Sequence, residues 1–246
     1  MAPNASLLVT LGIPSIAIAT LAVIAFMIQR VARDGGRYAR SFVVGVAAWL
    51  AFSGALAAAG FLARFDAMPP PFIVIVVPTL ALPLWLARSR IGELLCDRAP
   101  MAWLVGFQAF RLPLELVMHR AGIEGTMPVQ MSFGGSSFDI VSGITAIAVA
   151  ALAAYDHAPR WLISAWNALG SLLLLNIVCI AIASLPQFHR FGSDPAQLNT
   201  WVAHFPFVWL PAGLVASALF GHAVVWRKLA RDARGASSSA RSASAV

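Results

Sequence analysis

The sequence predicts an all-α, polytopic membrane protein with seven transmembrane helices, and three observations predict it. Of its 246 residues, 60% are hydrophobic and 11% charged, whereas about a quarter of a soluble domain is charged. Uncharged runs of at least 16 residues recur along the chain, several of them beyond the ~18 that suggest a spanning helix. The arginines collect in the short segments between those runs, as membrane topology requires. A net charge of +7 therefore does not imply nucleic-acid binding, which needs a basic face on a folded surface. The expected partners are the lipid bilayer and a small-molecule ligand.

The spans follow in order. The first runs from about Ser6 to Ile28, contains Pro14 and precedes the basic loop Arg30, Arg33, Arg37 and Arg40. It is longer than the 7 to 15 residues of a signal peptide's apolar region, and is read as a retained helix. The second, about Phe42 to Leu62, is rich in small residues (Gly45, Ser53, Gly54, Gly60) that permit close helix approach. The third, about Phe72 to Ala87, holds Pro78 and Pro83 and should be bent or partly unwound. A charged loop, Arg88 to Arg98, leads to the fourth, Met101 to Arg120. The stretch from Ala121 to Phe138 is rich in Gly, Pro and Ser and reads as a long outer loop. Spans five (about Asp139 to Tyr155), six (about Trp161 to Leu185) and seven (about Pro206 to Trp226) complete one domain over 1–229. The basic, Ser/Ala-rich tail, 230–246, should be disordered.

Seven spans place the termini on opposite sides. One set of connecting segments holds Arg30, Arg33, Arg37, Arg40, Arg88, Arg90, Arg98, Arg160, Arg227, Lys228, Arg231, Arg234 and Arg241, against Arg64, Arg120 and Arg190 on the other. The positive-inside rule then puts the amino terminus outside and the carboxyl terminus in the cytoplasm of an inner-membrane protein. Trp161, Trp201, Trp209 and Trp226 lie near span ends, as interfacial anchors would.

The fourth span concentrates the chemistry. On a continuous helix Gln108, Arg111, Glu115 and His119 occupy one arc of roughly 80°, with Arg111 near mid-membrane and His119 near the outer boundary. An unpaired charge at that depth costs about 3 kcal/mol or more. Arg111 and Glu115, four residues apart, can neutralise each other and simply lock packing. Gln108 and His119 extend the arc beyond one ion pair, which points to a polar cavity open to the outer side. Asp139, at the outer start of span five, is either part of that site or an N-cap. His222 reads as a packing histidine. Asn167 and Asn176 face opposite sides of span six, so at most one reaches the cavity.

Other chemistries find less support. His119, His189 and His204, with Met118, Met127 and Met131, belong to the outer half and are metal-ligating types, but HxxxH, HExxH and CxxC spacings are lacking. Gly134-Gly135 is not a phosphate-binding loop. A retinal Schiff base needs a lysine inside a span, and Lys228 lies beyond the seventh. The sequence leaves the cofactor unknown.

The elements Phe110-Arg111, Glu115, Met131-Ser132-Phe133-Gly134-Gly135, Phe138-Asp139-Ile140 and Gly143-Ile144-Thr145-Ala146, with Trp209-Leu210-Pro211 and Gly221-His222, resemble those of a group of uncharacterised bacterial seven-span membrane proteins. The resemblance covers spans four to seven and implies the same fold; it carries no activity with it. The residues themselves allow three functions. The first is a small-molecule or proton-coupled carrier, or a ligand sensor, with Arg111 supplying positive charge to an anionic or carbonyl-bearing ligand, Glu115 balancing it or carrying a proton, and His119 and Asp139 at the outer entrance. The second is a membrane-embedded enzyme using Glu115 and His119 as acid/base groups or metal ligands beneath a loop lid. The third is an assembly subunit whose polar arc packs on a partner.

Overall fold

The computed structural model describes residues 5–33 and 36–243, with side chains to Gly235. Among the described residues the fold is all-helical. Its long elements are α1 (Leu7–Val31), α2 (Arg37–Ala58), α3 (Ile73–Arg88), α4 (Arg90–Arg98), α5 (Met101–Gly106), α6 (Arg111–Ile123), α7 (Asp139–Ala154), α8 (Arg160–Ala183) and α9 (Ala216–Ala243). A π-helical segment, Leu210–Val215, leads into α9, and a 3-10 turn, Phe107–Phe110, joins α5 to α6. Five helices are long and apolar enough to cross a membrane, counting α5 with α6 and the π segment with α9. The α3–α4 pair, bent by 58°, passes the same test only when its two helices are counted together, which gives up to six. Helix α7 is apolar and 16 residues long.

The distribution of polarity is that of a protein in lipid. Leu7, Leu11, Phe26, Val44, Trp85, Ile144 and Leu172 are exposed on the outer faces of their helices, while Gln108, Arg111, Glu115 and Asn167 are buried. In water that arrangement would cost both hydrophobic exposure and charge burial. In a bilayer the outward faces meet hydrocarbon and only the buried charges need partners. The chain is thus a multi-pass membrane protein by the length and apolar character of its helices.

Hydrogen bonds at the two ends show how the segments run. At one end Arg98 donates to the Val31 carbonyl (3.1 Å), Arg227 to that of Ala87 (2.7 Å), Lys228 to that of Cys96 (2.7 Å) and Arg160 to that of Leu229. Cations therefore satisfy the last carbonyls of α1, α3 and α4, where the helix dipole also favours them. At the other end the Ser6 backbone N–H donates to Glu124, and Gln187 donates to the Phe65 carbonyl. Gln130 there bonds both Ser184 and the Gln197 carbonyl. These bonds gather residues 31, 87, 96, 98, 160 and 227–229 in one group and residues 6, 65, 124, 130, 184, 187 and 197 in others.

Glu124 fastens the start of α1 to the end of α6. The Ser6 backbone N–H at 2.9 Å, then the Ser6 hydroxyl, then Arg120 at 2.6 Å hold its carboxyl down at about 2. This contact is on the surface and draws on hydrogen bonds to an ionised acceptor.

Several local expectations are revised. Helix α3 runs unbroken through Pro78 and Pro83, and the bend comes later, at Ser89, whose extended backbone and side-chain bond to the Ile91 N–H start a new helix. Gly45 in α2 makes no close approach, for a Cβ built there meets nothing within 4 Å. Trp201 is buried against Phe207 and is no interfacial anchor, while Trp161 and Trp226 are exposed. Trp209 is a staple, donating to the Leu50 carbonyl as Trp49 donates to that of Ala212. Of the 230–246 tail, expected to be disordered, residues 230–243 continue α9 and 244–246 lie outside the described residues; Arg231 pairs with Asp97 at 3.0 Å. Its alanines and arginines are strong helix formers.

Candidate functional site

The apolar core falls into two clusters. One, toward the Ser6 and Glu124 end, is built on Val9, Ile13, Leu114, Met118, Leu174 and Leu210. The other, toward the basic end, is built on Ile24, Leu95, Leu104, Phe107, Val149, Trp166 and Phe220. Between them lies a polar layer: Gln108, Arg111, Asp139, Ser142, Asn167 and His222, all buried.

Arg111 is the centre of this layer. Its Nε lies 3.0 Å from Asp139 Oδ2 at the start of α7, at ion-pair distance without the alignment of a hydrogen bond. Its Nη1 donates to the Gly170 carbonyl on α8 (3.4 Å) and to His222 Nε2 on α9 (3.1 Å). One guanidinium thus ties α6 to three other helices, which its rigid fork of five N–H donors permits.

The histidine tautomer follows from its partners. Arg111 can only donate, so His222 Nε2 accepts. Asn167 donates its Nδ2 to the His222 carbonyl (3.2 Å), so its Oδ1, 2.8 Å from Nδ1, is the acceptor for the Nδ1 proton. These bonds specify a neutral ring with hydrogen on Nδ1. Gln108 donates to the Ala218 carbonyl at 3.0 Å.

Two glycines make the layer possible. A Cβ on Gly143 would lie 2.5 Å from the Leu112 backbone nitrogen, so only glycine lets α7 press against the start of α6 and deliver Asp139 to Arg111. A Cβ on Gly170 would lie 2.5 Å from His222 Cε1. Its absence seats the imidazole against α8.

Glu115 lies one turn outward and takes a hydrogen bond from Ser137 (3.3 Å) in the loop before α7. Arg111, Glu115 and Asp139 line one cavity of about 100 Å³. The remaining wall is mostly apolar, from Phe72 just before α3 and Val76 within it to Leu174 and Val178 of α8. Within the buried layer Arg111 Nη2, Glu115 Oε2, Asp139 Oδ1, Ser142 Oγ and Gln108 Oε1 have no protein partner. Native interiors leave few such atoms, and each asks for an explanation. The cavity has room for several waters, each occupying roughly 30 Å³ in the liquid. It is smaller than the roughly 300 Å³ at which small-molecule sites begin.

Of the five residues singled out in the sequence, Arg111, Glu115 and Asp139 come together at the cavity. Gln108 sits in the same layer, turned toward α9, and does not line the cavity. His119 stacks on Phe133 of the outer loop, with centroids 4.2 Å apart. That stack holds its ring at the outer loop, and it does not line the cavity. The expected Arg111–Glu115 ion pair is replaced by Arg111–Asp139. Asp139 caps nothing: it is the first residue of α7, with no side-chain cap bond. His222 belongs to the site rather than to plain packing. Of the two asparagines Asn167 is the inward one, while Asn176 donates to the Ser136 carbonyl. Among the described residues no three His, Cys, Asp or Glu side chains gather as metal ligands would.

With one positive charge against two carboxylates, the site holds no surplus cation for an anionic ligand. Its unmatched group is Glu115. Comparison with known protein families, curated proteins and solved structures finds no match to this chain.

Proposed function

We propose that this chain is a seven-span inner-membrane carrier coupled to protons, with Glu115 as its proton-binding group. The gathering of the basic segment ends in one group, apart from residues 6, 65, 124 and 187, supports the topology. The basic end, as the cytoplasmic face, puts the amino terminus outside. Helix α7 starts at the Arg111 layer and runs to the basic end, so in this reading the stretch before Asp139 completes the fifth crossing on the outer side.

One observation carries the functional reading. Arg111 is matched by Asp139, and a second carboxylate, Glu115, faces the same water-sized cavity with one oxygen unpartnered. A group in that position neutralises the site by taking a proton and charges it by losing one, so its protonation is coupled to the packing of α6, α7 and α8 around Arg111. The 3-10 turn before Arg111 and the π segment before α9 put irregular helix on both sides of the layer, as is common at functional hinges.

The test is an infrared pH titration of purified protein. The wild type should show a carboxyl band that comes and goes with pH and is missing from Glu115→Gln, and proteoliposomes of that variant should lose potential-driven proton uptake. A spectrum that does not change with pH, together with equal uptake by both proteins, sinks the reading. A structural reading draws on the direct Arg111–Asp139 and His222–Asn167 contacts: the layer would lock the four helices and do nothing else. It requires Glu115→Gln to be silent in both assays.

A further inference from the structure

A second, larger cavity lies on the other side of α3. It is a groove of about 560 Å³ between α2 and α3, floored by Leu21 and Ile24 of α1 and by Ala212, Gly213 and Phe220. Its walls are apolar along most of their length: Phe42, Val46, Leu82, Pro83 and Leu86. The volume falls within the range of sites that hold an organic ligand. The Trp49 and Trp209 staples join α2 to the π segment at its outer end.

The chemistry changes at the basic end of the groove. There Tyr38, Ser41, Ser89 and Arg90 line it. Arg37, Arg40 and Arg88 flank those residues in the sequence and are exposed. Arg90 pairs with Glu93 at 2.9 Å, so the rim holds four cations against one carboxylate. An apolar slot lying along the bundle, ending in hydroxyls and surplus positive charge at one membrane boundary, has the polarity of a phospholipid turned inside out. From this complementarity we infer that the groove binds one anionic phospholipid of the leaflet at the basic end, with an acyl chain between α2 and α3 and its phosphate on Arg90 and Ser41. This site is separate from the Arg111 layer and independent of the carrier reading.

Gly45 supplies the probe. It lines the groove, and a Cβ there meets nothing within 4 Å, so Gly45→Leu sends its side chain into the slot from an open position. Leucine is also the better helix former, so this variant should melt no lower than wild type in detergent. The full-length protein is reconstituted in nanodiscs of equal phosphatidylglycerol and phosphatidylcholine, and retained lipids are counted by native mass spectrometry. Wild type should retain one phosphatidylglycerol in preference to phosphatidylcholine. Gly45→Leu should lose that lipid while melting normally. Arg90→Gln should hold it about fivefold more weakly, the worth of one arginine near a headgroup. Equal retention of the two lipids by wild type overturns the proposal, as does undiminished phosphatidylglycerol on a folded Gly45→Leu protein. A membrane protein that co-purifies and is displaced by Gly45→Leu would give the groove a different occupant and also overturn it.

Discussion

Removing Asp139 is the sharpest test of how the buried layer is held. Its side chain is 8% exposed and that of Arg111 1%, so solvent screens the pair little and surface values of 0 to 1 kcal/mol do not apply. Breaking a buried pair from one side costs about 3–5 kcal/mol, because the remaining charge stays buried. Asp139→Asn should fall at the low end, about 3 kcal/mol, since Glu115 lines the same cavity and can still offset Arg111. Arg111→Met should cost at least as much, because it leaves two carboxylates without a cation. The double variant removes both charges and should cost much less than the sum, giving a coupling energy of about 2 kcal/mol or more. Reversible unfolding in mixed micelles at fixed detergent composition measures all four corners of the cycle. Additivity within about 0.5 kcal/mol would mean that the two side chains do not depend on each other, and the arrangement drawn around Arg111 would be wrong.

Further outcomes follow from other contacts. Gly170→Ala places a methyl 2.5 Å from His222 Cε1 and should destabilise by about 1–3 kcal/mol; His222→Ala in the same chain should relieve most of it, and no relief in the unfolding assay would put the imidazole elsewhere. The Ser6–Glu124 latch has a sign fixed by its depressed carboxyl: the folded value is about 2 against an ordinary 4.5, so its contribution is fully present above 4.5 and is lost as pH falls toward 2. The melting-temperature gap between wild type and Glu124→Gln should be flat from pH 7 to about 5 and close below that; a gap unchanged down to pH 3 would count against the latch. For topology, single cysteines at Asp66 and Arg90 in a chain lacking Cys96 and Cys179 should react with an impermeant maleimide from opposite sides of sealed vesicles. Labelling of both from one side would refute the alternating path.

The segments of the fold were legible because lipid imposes a simple rule on sequence. Spans must be apolar and long, and the residues between them carry the charge, so composition alone places spans from about Ser6, Phe42 and Trp161, near where α1, α2 and α8 begin at Leu7, Arg37 and Arg160. Arg111 and Glu115 stood out for the same reason, as charges where hydrocarbon is expected. Pro78 and Pro83 point to a bend inside span three, because proline announces a lost backbone bond, whereas the turn is set by the serine cap at Ser89.

What the sequence by itself determined was therefore one-dimensional: which stretches are helices in a membrane, which end is basic, and that polar groups lie inside the fourth segment. Only the tertiary structure decided which charge answers Arg111, because residues 111, 139, 170 and 222 meet through the packing of four helices. Nothing in local periodicity marks such a meeting. Helix spacing offered Glu115, four residues away, as the partner, but the close approach at Gly143 brought Asp139 instead. That exchange left Glu115 as the unmatched carboxylate. The physical reason is that a side chain's neighbours along one helix are fixed by its pitch, whereas its neighbours across helices are fixed by how closely the backbones can pack.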